Sequence, residues 1–345
     1  MSTDAEDVLQ QACDFHERNG RAAMATVLST WGSAPRQAGS QLAVSPDGAF
    51  AGSVSGGCVE VAVIEAAREL MDSGGSPRRL ELGVSDDEAW QAGLPCGGRI
   101  EVLVDSIDAA KRARLEQIRS DRAARRPAVL MTDLTSGEQR LLHPSEDTLD
   151  PDAPHTAAQE ALRNGKSAVV RLGEREAFLH VFEPTLRLVV VGAVHVAQTL
   201  APMAALNGLE VTVVDPRRAF ATPERFPGVR LEHLWPDEAL TGLALDRRTA
   251  VVTLSHDPKL DDPALEAALR GGAFYVGALG SRRSHQSRLQ RLRERGIDEV
   301  MLERIRGPVG LDIGARTAAE IATSIVAELV AVFRKGEARS GHASP

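Results

Sequence analysis

The fold of the C-terminal half of this 345-residue chain can be predicted from one segment, residues 187–197, Arg-Leu-Val-Val-Val-Gly-Ala-Val-His-Val-Ala. The first five residues predict a strand that is buried on both faces, as strands of parallel sheets are. Gly192 then opens a turn, residues 195–207 predict a helix, and residues 210–214 predict a second buried strand that ends at Asp215. A strand, a helix and a second strand in this order predict a βαβ unit.

Strands and helices continue to alternate after this unit. The apolar runs predict strands at 250–254 and 274–276 and helices at 262–270, 284–295 and 317–334. This alternation predicts a Rossmann-like, doubly wound parallel sheet over residues 184–334. The polar stretch 335–345 is predicted to be a disordered tail.

The first half of the chain, residues 1–183, predicts a separate α+β domain. Its hydrophobic periodicity predicts helices at 5–18, 59–71 and 109–121 and strands at 22–29, 40–44, 49–52 and 99–104. The weaker pattern that follows predicts two short strands, a loop at 143–155, a helix and a hairpin. The predicted fold class is therefore α/β, with an N-terminal α+β domain followed by a Rossmann-like domain.

The turn after the first buried strand lies where a dinucleotide-binding fingerprint would lie. Asp215 follows Gly192 by 23 positions, so its carboxylate could bond a ribose hydroxyl. Val194 replaces the second glycine of the fingerprint, and its side chain would crowd a pyrophosphate. Two hypotheses stay open: the turn binds NAD(P), or the helix N-terminus at His195 binds another anion or nothing.

Two more loops follow predicted strands of this half, at the ends where open α/β sheets bind ligands. His256 and Asp257 are candidates for a ligand pair, although a helix cap followed by a turn explains them nearly as well. Ser281, Arg282 and Arg283 precede a helix and form a candidate anion site, because arginines and helix N-termini both bind oxyanions. The arginines at 288, 291, 293 and 295 are interpreted as a solvated helix face.

Two glycine-rich cysteine turns lie in the N-terminal half, Gly-Ser-Val-Ser-Gly-Gly-Cys-Val-Glu at 52–60 and Gly-Leu-Pro-Cys-Gly-Gly at 93–98. Gly56, Gly57 and Cys58 directly precede a predicted helix. Free amides and the positive dipole end there lower a thiol's pKa, so we predict a reactive or ligand-binding cysteine. Cys96 is a second candidate, and burial as a small residue is the alternative for both.

One arginine and one cysteine of this half complete the candidates. Arg36 follows a Gly-Ser-Ala-Pro stretch and could pair with a phosphate or carboxylate. Cys13 lies on the first helix and is interpreted as core. Two loop cysteines without a nearby histidine fall short of the roughly four ligands of a structural zinc site.

Composition excludes several classes of protein. The formal charge of −8 argues against a nucleic-acid or membrane-surface binder. No apolar run reaches the roughly 18 residues of a membrane span. The three cysteines lack paired spacing and the first residues are polar and acidic, so we expect a cytoplasmic protein with reduced thiols.

Taken together, these motifs resemble the XdhC/CoxI family of accessory proteins for molybdenum hydroxylases. The matching segments are 32–39, 52–60 and 95–98 in the first half and 213–217, 255–262, 275–283 and 310–317 in the second. The likeness leaves residues 106–183 without distinctive motifs. Where family members commonly have glycine, this chain has Val194.

The resemblance implies a chaperone rather than an enzyme. Such proteins bind the molybdenum cofactor (molybdopterin), favour its sulfurated form and deliver it to a xanthine dehydrogenase-like apoenzyme. The resemblance also implies cooperation with a cysteine desulfurase and a homodimer. The family's cofactor-linked cysteine corresponds to Cys58, which makes that thiol a candidate contact for molybdenum. A soft thiolate suits that metal, and arginines at a helix N-terminus suit the phosphate of the pterin.

Two other functions remain open from the residues. The first is an NAD(P)-dependent oxidoreductase, with Asp215 on the ribose and Cys58 or His256 near the hydride. It rests on the fold alone, and this fold hosts many functions. The second is a non-catalytic scaffold that binds a partner protein.

Overall fold

The computed structural model describes residues 4–32, 36–57, 59–84, 98–144 and 153–340. Close contacts divide the chain into two compact units, residues 2–184 and residues 185–345. Two of the predicted site residues, Cys58 and Cys96, lie outside the described residues.

The N-terminal unit combines helices with antiparallel sheets. Its elements in chain order are α1 (Asp4–Asn19), β1 (Ala22–Gly32), β2 (Gln41–Val44), β3 (Phe50–Gly52), α2 (Glu60–Ser73), β4 (Arg78–Val84), β5 (Gly98–Ile107), α3 (Ala109–Ala123), β6 (Ala128–Asp133), β7 (Gln139–Leu142), α4 (Ala153–Asn164), β8 (Ala168–Leu172) and β9 (Arg175–Phe182). The strands form one sheet in the order β3-β2-β1-β5-β4 and another in the order β7-β6-β9-β8. Every neighbouring pair is antiparallel, which confirms the predicted α+β character.

The central strand β1 explains how this unit is layered. Successive side chains of a strand point to opposite faces of its sheet. Ala23 and Ala25 pack with Val63 of α2, whereas Met24 packs with Leu9 of α1. The sheet is therefore covered by α2 on one face and by α1 on the other, and α2 directly follows the first cysteine turn.

The C-terminal unit is an alternating α/β structure. Its elements are β10 (Arg187–Val191), α5 (His195–Leu206), β11 (Glu210–Val214), β12 (Arg230–Glu232), α6 (Pro236–Gly242), β13 (Thr249–Thr253), α7 (Pro258–Arg270), β14 (Tyr275–Ala278), α8 (Arg282–Glu294), α9 (Glu299–Leu302), β15 (Ile305–Arg306) and α10 (Ala318–Ser340). The strands lie in the order β12-β11-β10-β13-β14-β15, and all neighbouring pairs are parallel. This sheet confirms the predicted Rossmann-like fold.

The strand order fixes where a ligand would bind in this unit. The chain runs outward from β10 through β11 to β12, then returns to β13 and runs outward in the other direction. The order therefore reverses between β10 and β13, and open α/β sheets bind ligands at the carboxyl ends of strands beside such a switch point. Val190 packs on the α5 and α10 face and Val191 on the α6–α8 face, so both faces of the sheet are buried.

The structure differs from the sequence prediction mainly at short elements and at the C-terminus. The strands β4, β12 and β15 and the helices α6 and α9 were not predicted, because most of these segments are too short to show a period. The final helix extends to Ser340, so residues 335–340 belong to it instead of to the predicted disordered tail, and residues 341–345 lie outside the described part. A capping box begins the same helix: Glu320 Oε2 accepts from Thr317 N at 2.9 Å, and Glu320 N donates to Thr317 Oγ1 at 3.2 Å.

Among the described residues, no helix combines the length and the apolar character that a membrane span requires.

Candidate functional site

Gly192 brings the ends of β10 and β13 together. Its φ is +102°, and a Cβ built on it would lie 2.9 Å from the backbone nitrogen of Ser255. Any side chain would therefore push the two strands apart at the switch point. The glycine of the fingerprint is required here by strand packing, whatever it does for a ligand.

Asp215 ties this turn to the end of β11. The residue is fully buried, and its Oδ2 accepts from Ala193 N at 2.8 Å and from Arg217 Nη2 at 2.7 Å. Its Oδ1 accepts from the backbone and Nε nitrogens of Arg217, both at 2.9 Å. Burial alone would raise the pKa of Asp215, but these hydrogen bonds from Arg217 and Ala193 hold it below its usual range. Both carboxylate oxygens are occupied, so a ribose hydroxyl would have to displace Arg217.

The N-terminus of α5 offers little to a phosphate. Its cap residue is Val194, which makes no side-chain capping bond and packs partly into the core. His195, the first residue of the helix, is exposed. The free amides of this helix are therefore next to an apolar side chain.

The loop after β13 holds the predicted pair His256 and Asp257. Asp257 caps α7, because its Oδ1 accepts from Lys259 N at 3.0 Å, and its own nitrogen donates to Ser255 Oγ at 3.1 Å. Asp257 therefore has the helix-capping role that the sequence analysis gave as the alternative to a ligand pair. His256 is exposed and has a φ of +61°, a left-handed conformation that is uncommon for residues other than glycine, although histidine adopts it more often than most.

The loop after β14 presents the predicted anion site. Ser281 caps α8, with its Oγ accepting from Ser284 N at 3.1 Å. Arg282 and Arg283 are exposed on the first turn of the helix. A Cβ at Gly280 would lie 3.9 Å from His256 Nδ1 and 3.7 Å from Arg288 Nη2, so this turn gathers residues from β13, β14 and α8.

The interpretation of Arg288 as part of a solvated face is wrong. Only 4% of this residue is exposed, because it lies four residues before the buried Leu292 on the inner face of α8. That spacing was the available signal, but the many arginines of the helix concealed it. Two of the other three predicted surface arginines are half exposed and paired with acids: Arg293 with Glu299 and Arg295 with Glu266.

In the N-terminal unit, the first cysteine turn closes on its own carboxylate. Glu60, the first residue of α2, is 7% exposed and folds back onto residues 53–57 and Val59. Its Oε1 accepts from Ser53 Oγ at 2.7 Å and from the amides of residues 54, 55 and 56 at 3.3, 2.9 and 3.0 Å. Its Oε2 accepts from Ser55 Oγ at 2.5 Å and from the amides of residues 57 and 59 at 2.9 and 3.2 Å.

This arrangement changes the electrostatic interpretation of the turn. Burial would raise the pKa of Glu60, but the bonds from Ser55, Ser53 and the backbone lower it to about 2. The amides of Gly56 and Gly57, which we expected to face a ligand or thiolate, instead bind a carboxylate that is ionised at neutral pH. The amides on either side of Cys58 in the sequence, those of Gly57 and Val59, both donate to Glu60 and to Ser55 Oγ.

The remaining predicted residues are less closely grouped. The C-terminal candidates Gly192, His195, Asp215, His256, Asp257 and Ser281–Arg283 all follow the carboxyl ends of strands at one edge of the sheet. Arg36 is half-buried in the N-terminal unit, and residues 33–35 before it lie outside the described part. Within the part of the chain that the structure covers, no group of three or more histidine, cysteine or acidic residues is arranged to hold a metal ion.

These features define a class of protein. Its N-terminal α+β unit has a glycine turn whose amides bind a carboxylate of the same chain. Its Rossmann domain has a basic helix N-terminus at the carboxyl ends of the strands, which we call the ligand edge. The model of the XdhC Rossmann domain matches residues 188–329, and that of the XdhC and CoxI family matches residues 15–83. The chain belongs to this family, as the sequence resemblance predicted.

Named relatives span nearly the whole chain. The sequence is 31% identical to the molybdenum cofactor insertion chaperone PaoD of Escherichia coli K12, over 96% of this chain and 90% of PaoD. It is 29% identical to a probable xanthine dehydrogenase subunit of Bacillus subtilis 168, over 91% of this chain and 94% of that protein. The crystal structure of a xanthine dehydrogenase from Bacillus halodurans matches with a TM-score of 0.78 and 25% identity, over 100% of this chain and 98% of that one.

Proposed function

We propose that this protein is an accessory chaperone that binds the molybdenum cofactor and supports its sulfuration and insertion into a xanthine dehydrogenase-like apoenzyme. The observation that carries the proposal is the near full-length similarity to PaoD, whose name describes it as a molybdenum cofactor insertion chaperone. In this proposal the cofactor is cargo, and the protein binds and releases it without chemical turnover.

The ligand edge of the Rossmann domain fits the phosphate end of such a cofactor. Ser281, Arg282 and Arg283 place hydroxyl, amide and guanidinium donors on one helix turn, and phosphates bind at such turns. His256 borders the same turn. Gly192, His195, Asp215 and Asp257 complete the proposed edge, with Asp215 and Asp257 holding the loops in shape through their hydrogen bonds to backbone amides.

Contacts for molybdenum are proposed, separately, at the cysteine turns of the N-terminal unit. A thiolate is the soft ligand that suits molybdenum, and Cys58 and Cys96 are the candidates, with Arg36 as a supporting cation. Gly56 and Gly57 contribute by shaping the turn around Glu60. Because Glu60 holds a full negative charge beside this turn, Cys58 would bind the metal without help from neighbouring free amides.

The partners follow from the same proposal. A xanthine dehydrogenase-like molybdoenzyme would receive the cofactor, and a cysteine desulfurase would supply the sulfur. A homodimer, as the family resemblance implies, and a cytoplasmic location also remain predictions.

Cofactor content tests the proposal directly. The protein purified from a molybdenum-replete host should contain pterin and molybdenum, and it should increase the activity of a xanthine dehydrogenase-like apoenzyme. Cys58→Ala should lower the molybdenum content and the activation, whereas Cys13→Ala, which removes a buried cysteine of α1, should change neither. Absence of pterin from the wild-type protein, together with no activation, would rule the chaperone out.

Nucleotide titration tests the oxidoreductase alternative. No contact in the described part of the chain favours it, because Asp215 is saturated by Ala193 and Arg217. We expect dissociation constants for NADH and NADPH well above about 1 μM. Binding at about 1 μM would correspond to a free energy of roughly −8 kcal/mol. Micromolar binding with substrate-dependent loss of the nicotinamide absorbance would favour an enzyme instead.

A further inference from the structure

A buried cluster of polar side chains lies beneath the turn that begins α8. Alternation along β13 places Thr253 on the same face as Val251, which packs against Leu260 of α7. Asp261 of α7 is 1% exposed, and its Oδ1 accepts from Ser255 Oγ at 2.7 Å. Ser255, Asp261 and Arg288 form what we call the Arg288 cluster, and Thr253 lies on the same face of the sheet.

The guanidinium of Arg288 is only partly satisfied within this cluster. Its Nη2 donates to Leu279 O at 2.8 Å and lies 3.7 Å from Asp261 Oδ2. Its Nε and Nη1 are buried and find no hydrogen-bond acceptor among the described residues, and the same is true of Thr253 Oγ1 as a donor. An unpaired buried donor is costly, and more so when it is charged, so these atoms point to a missing partner.

The same guanidinium lies directly behind the N-terminus of a long helix. A helix of 13 residues leaves its first amides without intrahelical acceptors, and the cap at Ser281 satisfies only that of Ser284. Gly280 separates this turn from Arg288, since a Cβ there would stand 3.7 Å from Nη2. The glycine therefore leaves the space between the turn and Nη2 free of a side chain, which a group that contacts both would require.

The local charges favour an anion as that group. Arg282 and Arg283 are exposed on the turn, and Arg288 lies behind it. Asp261 offsets one of the three positive charges, and Asp257, which keeps its negative charge while it caps α7, offsets a second. The remaining positive charge and the helix dipole both favour an oxyanion at this position.

We propose that Arg288 and the first turn of α8 form a binding subsite for the phosphate of a phosphate monoester. The subsite deepens the proposed function, on which its identification with the phosphate end of the cargo rests. The phosphate oxygens would accept from the first-turn amides and from the guanidinium. Arg288 would then be a binding residue and Asp261 the residue that positions it.

Calorimetric titration with inorganic phosphate at constant ionic strength tests the subsite in the full-length protein. Wild-type protein should bind phosphate with a dissociation constant near or below about 1 mM. Arg288→Met should weaken binding at least about tenfold, because a hydrogen bond to a charged group contributes roughly 1.5–3 kcal/mol. A parallel titration with glycerol phosphate tells whether a monoester is preferred to the free ion.

Two further variants keep this test independent of folding. Arg288→Met combined with Asp261→Asn removes both buried charges, so it avoids the unpaired aspartate and should also lose phosphate. Arg291→Met removes an arginine of the same helix that pairs with another buried aspartate, Asp262, and should bind phosphate like the wild type. No phosphate binding by the wild type, or equal binding by the Arg288 variants, would overturn the subsite. Molybdenum and pterin content do not enter this measurement, so its failure and failure of the chaperone function are distinguishable.

Discussion

Two glycine turns that precede helices in this chain use their backbone amides in opposite ways. The turn at residues 53–59 is filled by a carboxylate of the chain itself, that of Glu60. The turn at residues 280–283 has no carboxylate bound to its amides among the described contacts, and a buried guanidinium lies behind it instead. Similar glycine-rich patterns therefore occur in a turn that is closed by a carboxylate of the chain and in the turn of the phosphate subsite proposed above. The difference depends on whether a carboxylate of the chain itself occupies the amides of the turn.

The largest expected effect comes from removing the carboxylate that closes the first turn. Glu60→Ala should reduce the free energy of unfolding by about 3–4 kcal/mol, because the buried amides of Val54 and Ser55 and the hydroxyl of Ser53 lose a carboxylate acceptor. Glu65→Ala, an exposed glutamate of the same helix, is the matched control and should change stability by less than about 0.5 kcal/mol. Urea unfolding measures both, and equal stabilities would show that the amides do not depend on Glu60.

The pH dependence of stability sharpens the same point. The pKa of Glu60 falls from an ordinary 4.5 to about 2 in the folded protein, so its stabilising contribution is complete above pH 4.5 and is lost as the pH falls towards 2. The stability difference between wild type and Glu60→Ala should be constant from pH 7 to 5 and should then shrink by up to about 3 kcal/mol. A difference that grows on acidification would contradict the assignment.

A smaller loss is expected at the switch point of the Rossmann domain. Asp215→Ala removes the acceptor of Ala193 N and leaves Arg217 without its partner, which should cost about 2–3 kcal/mol. Asp312→Ala, at an exposed aspartate of the same unit, serves as the control. Unchanged stability of Asp215→Ala, or a higher affinity for NADH, would contradict our description of Asp215 as a buried acceptor that stabilises this turn.

The smallest expected stability losses come from substituting two glycines, Gly192 and Gly57, whose surroundings differ. Gly192→Ala should cost about 2 kcal/mol, because its Cβ would meet Ser255 at 2.9 Å in a backbone with positive φ. Gly57→Ala, with φ +129° and no atom within 4 Å of the new Cβ, should cost only about 1 kcal/mol for backbone strain. Thermal unfolding of the two variants ranks them, and the reverse order would contradict the close approach of β10 and β13.

The sequence predicted the buried strands of the Rossmann domain well and its short edge elements poorly. Strands β10 and β11 were placed to the residue, because burial on both faces leaves an uninterrupted apolar run. Strands β12 and β15 have only three and two residues, too few to show any period. Parallel edge strands of this length are held by the neighbouring strand, and that neighbour is distant in sequence.

The candidate site was predicted in outline but not in its electrostatics. The sequence placed Ser281 before a helix as part of a candidate anion site, and the structure shows that its Oγ also caps α8. The closure of Glu60 over the turn depends on the path of residues 53–59 in space, and the motif alone suggested free amides. The prediction that Arg288 is exposed was wrong, because it was based on the many arginines of the helix. Burial depends instead on which face of the helix packs against α7.

Amide chemical shifts during a phosphate titration test the contrast between the two turns most directly. We predict that phosphate shifts the amide resonances of Arg282 and Arg283 and leaves those of Gly56 and Gly57 unchanged, since Glu60 already occupies the latter. Shifts at Gly56 and Gly57, with none at the first turn of α8, would contradict the account.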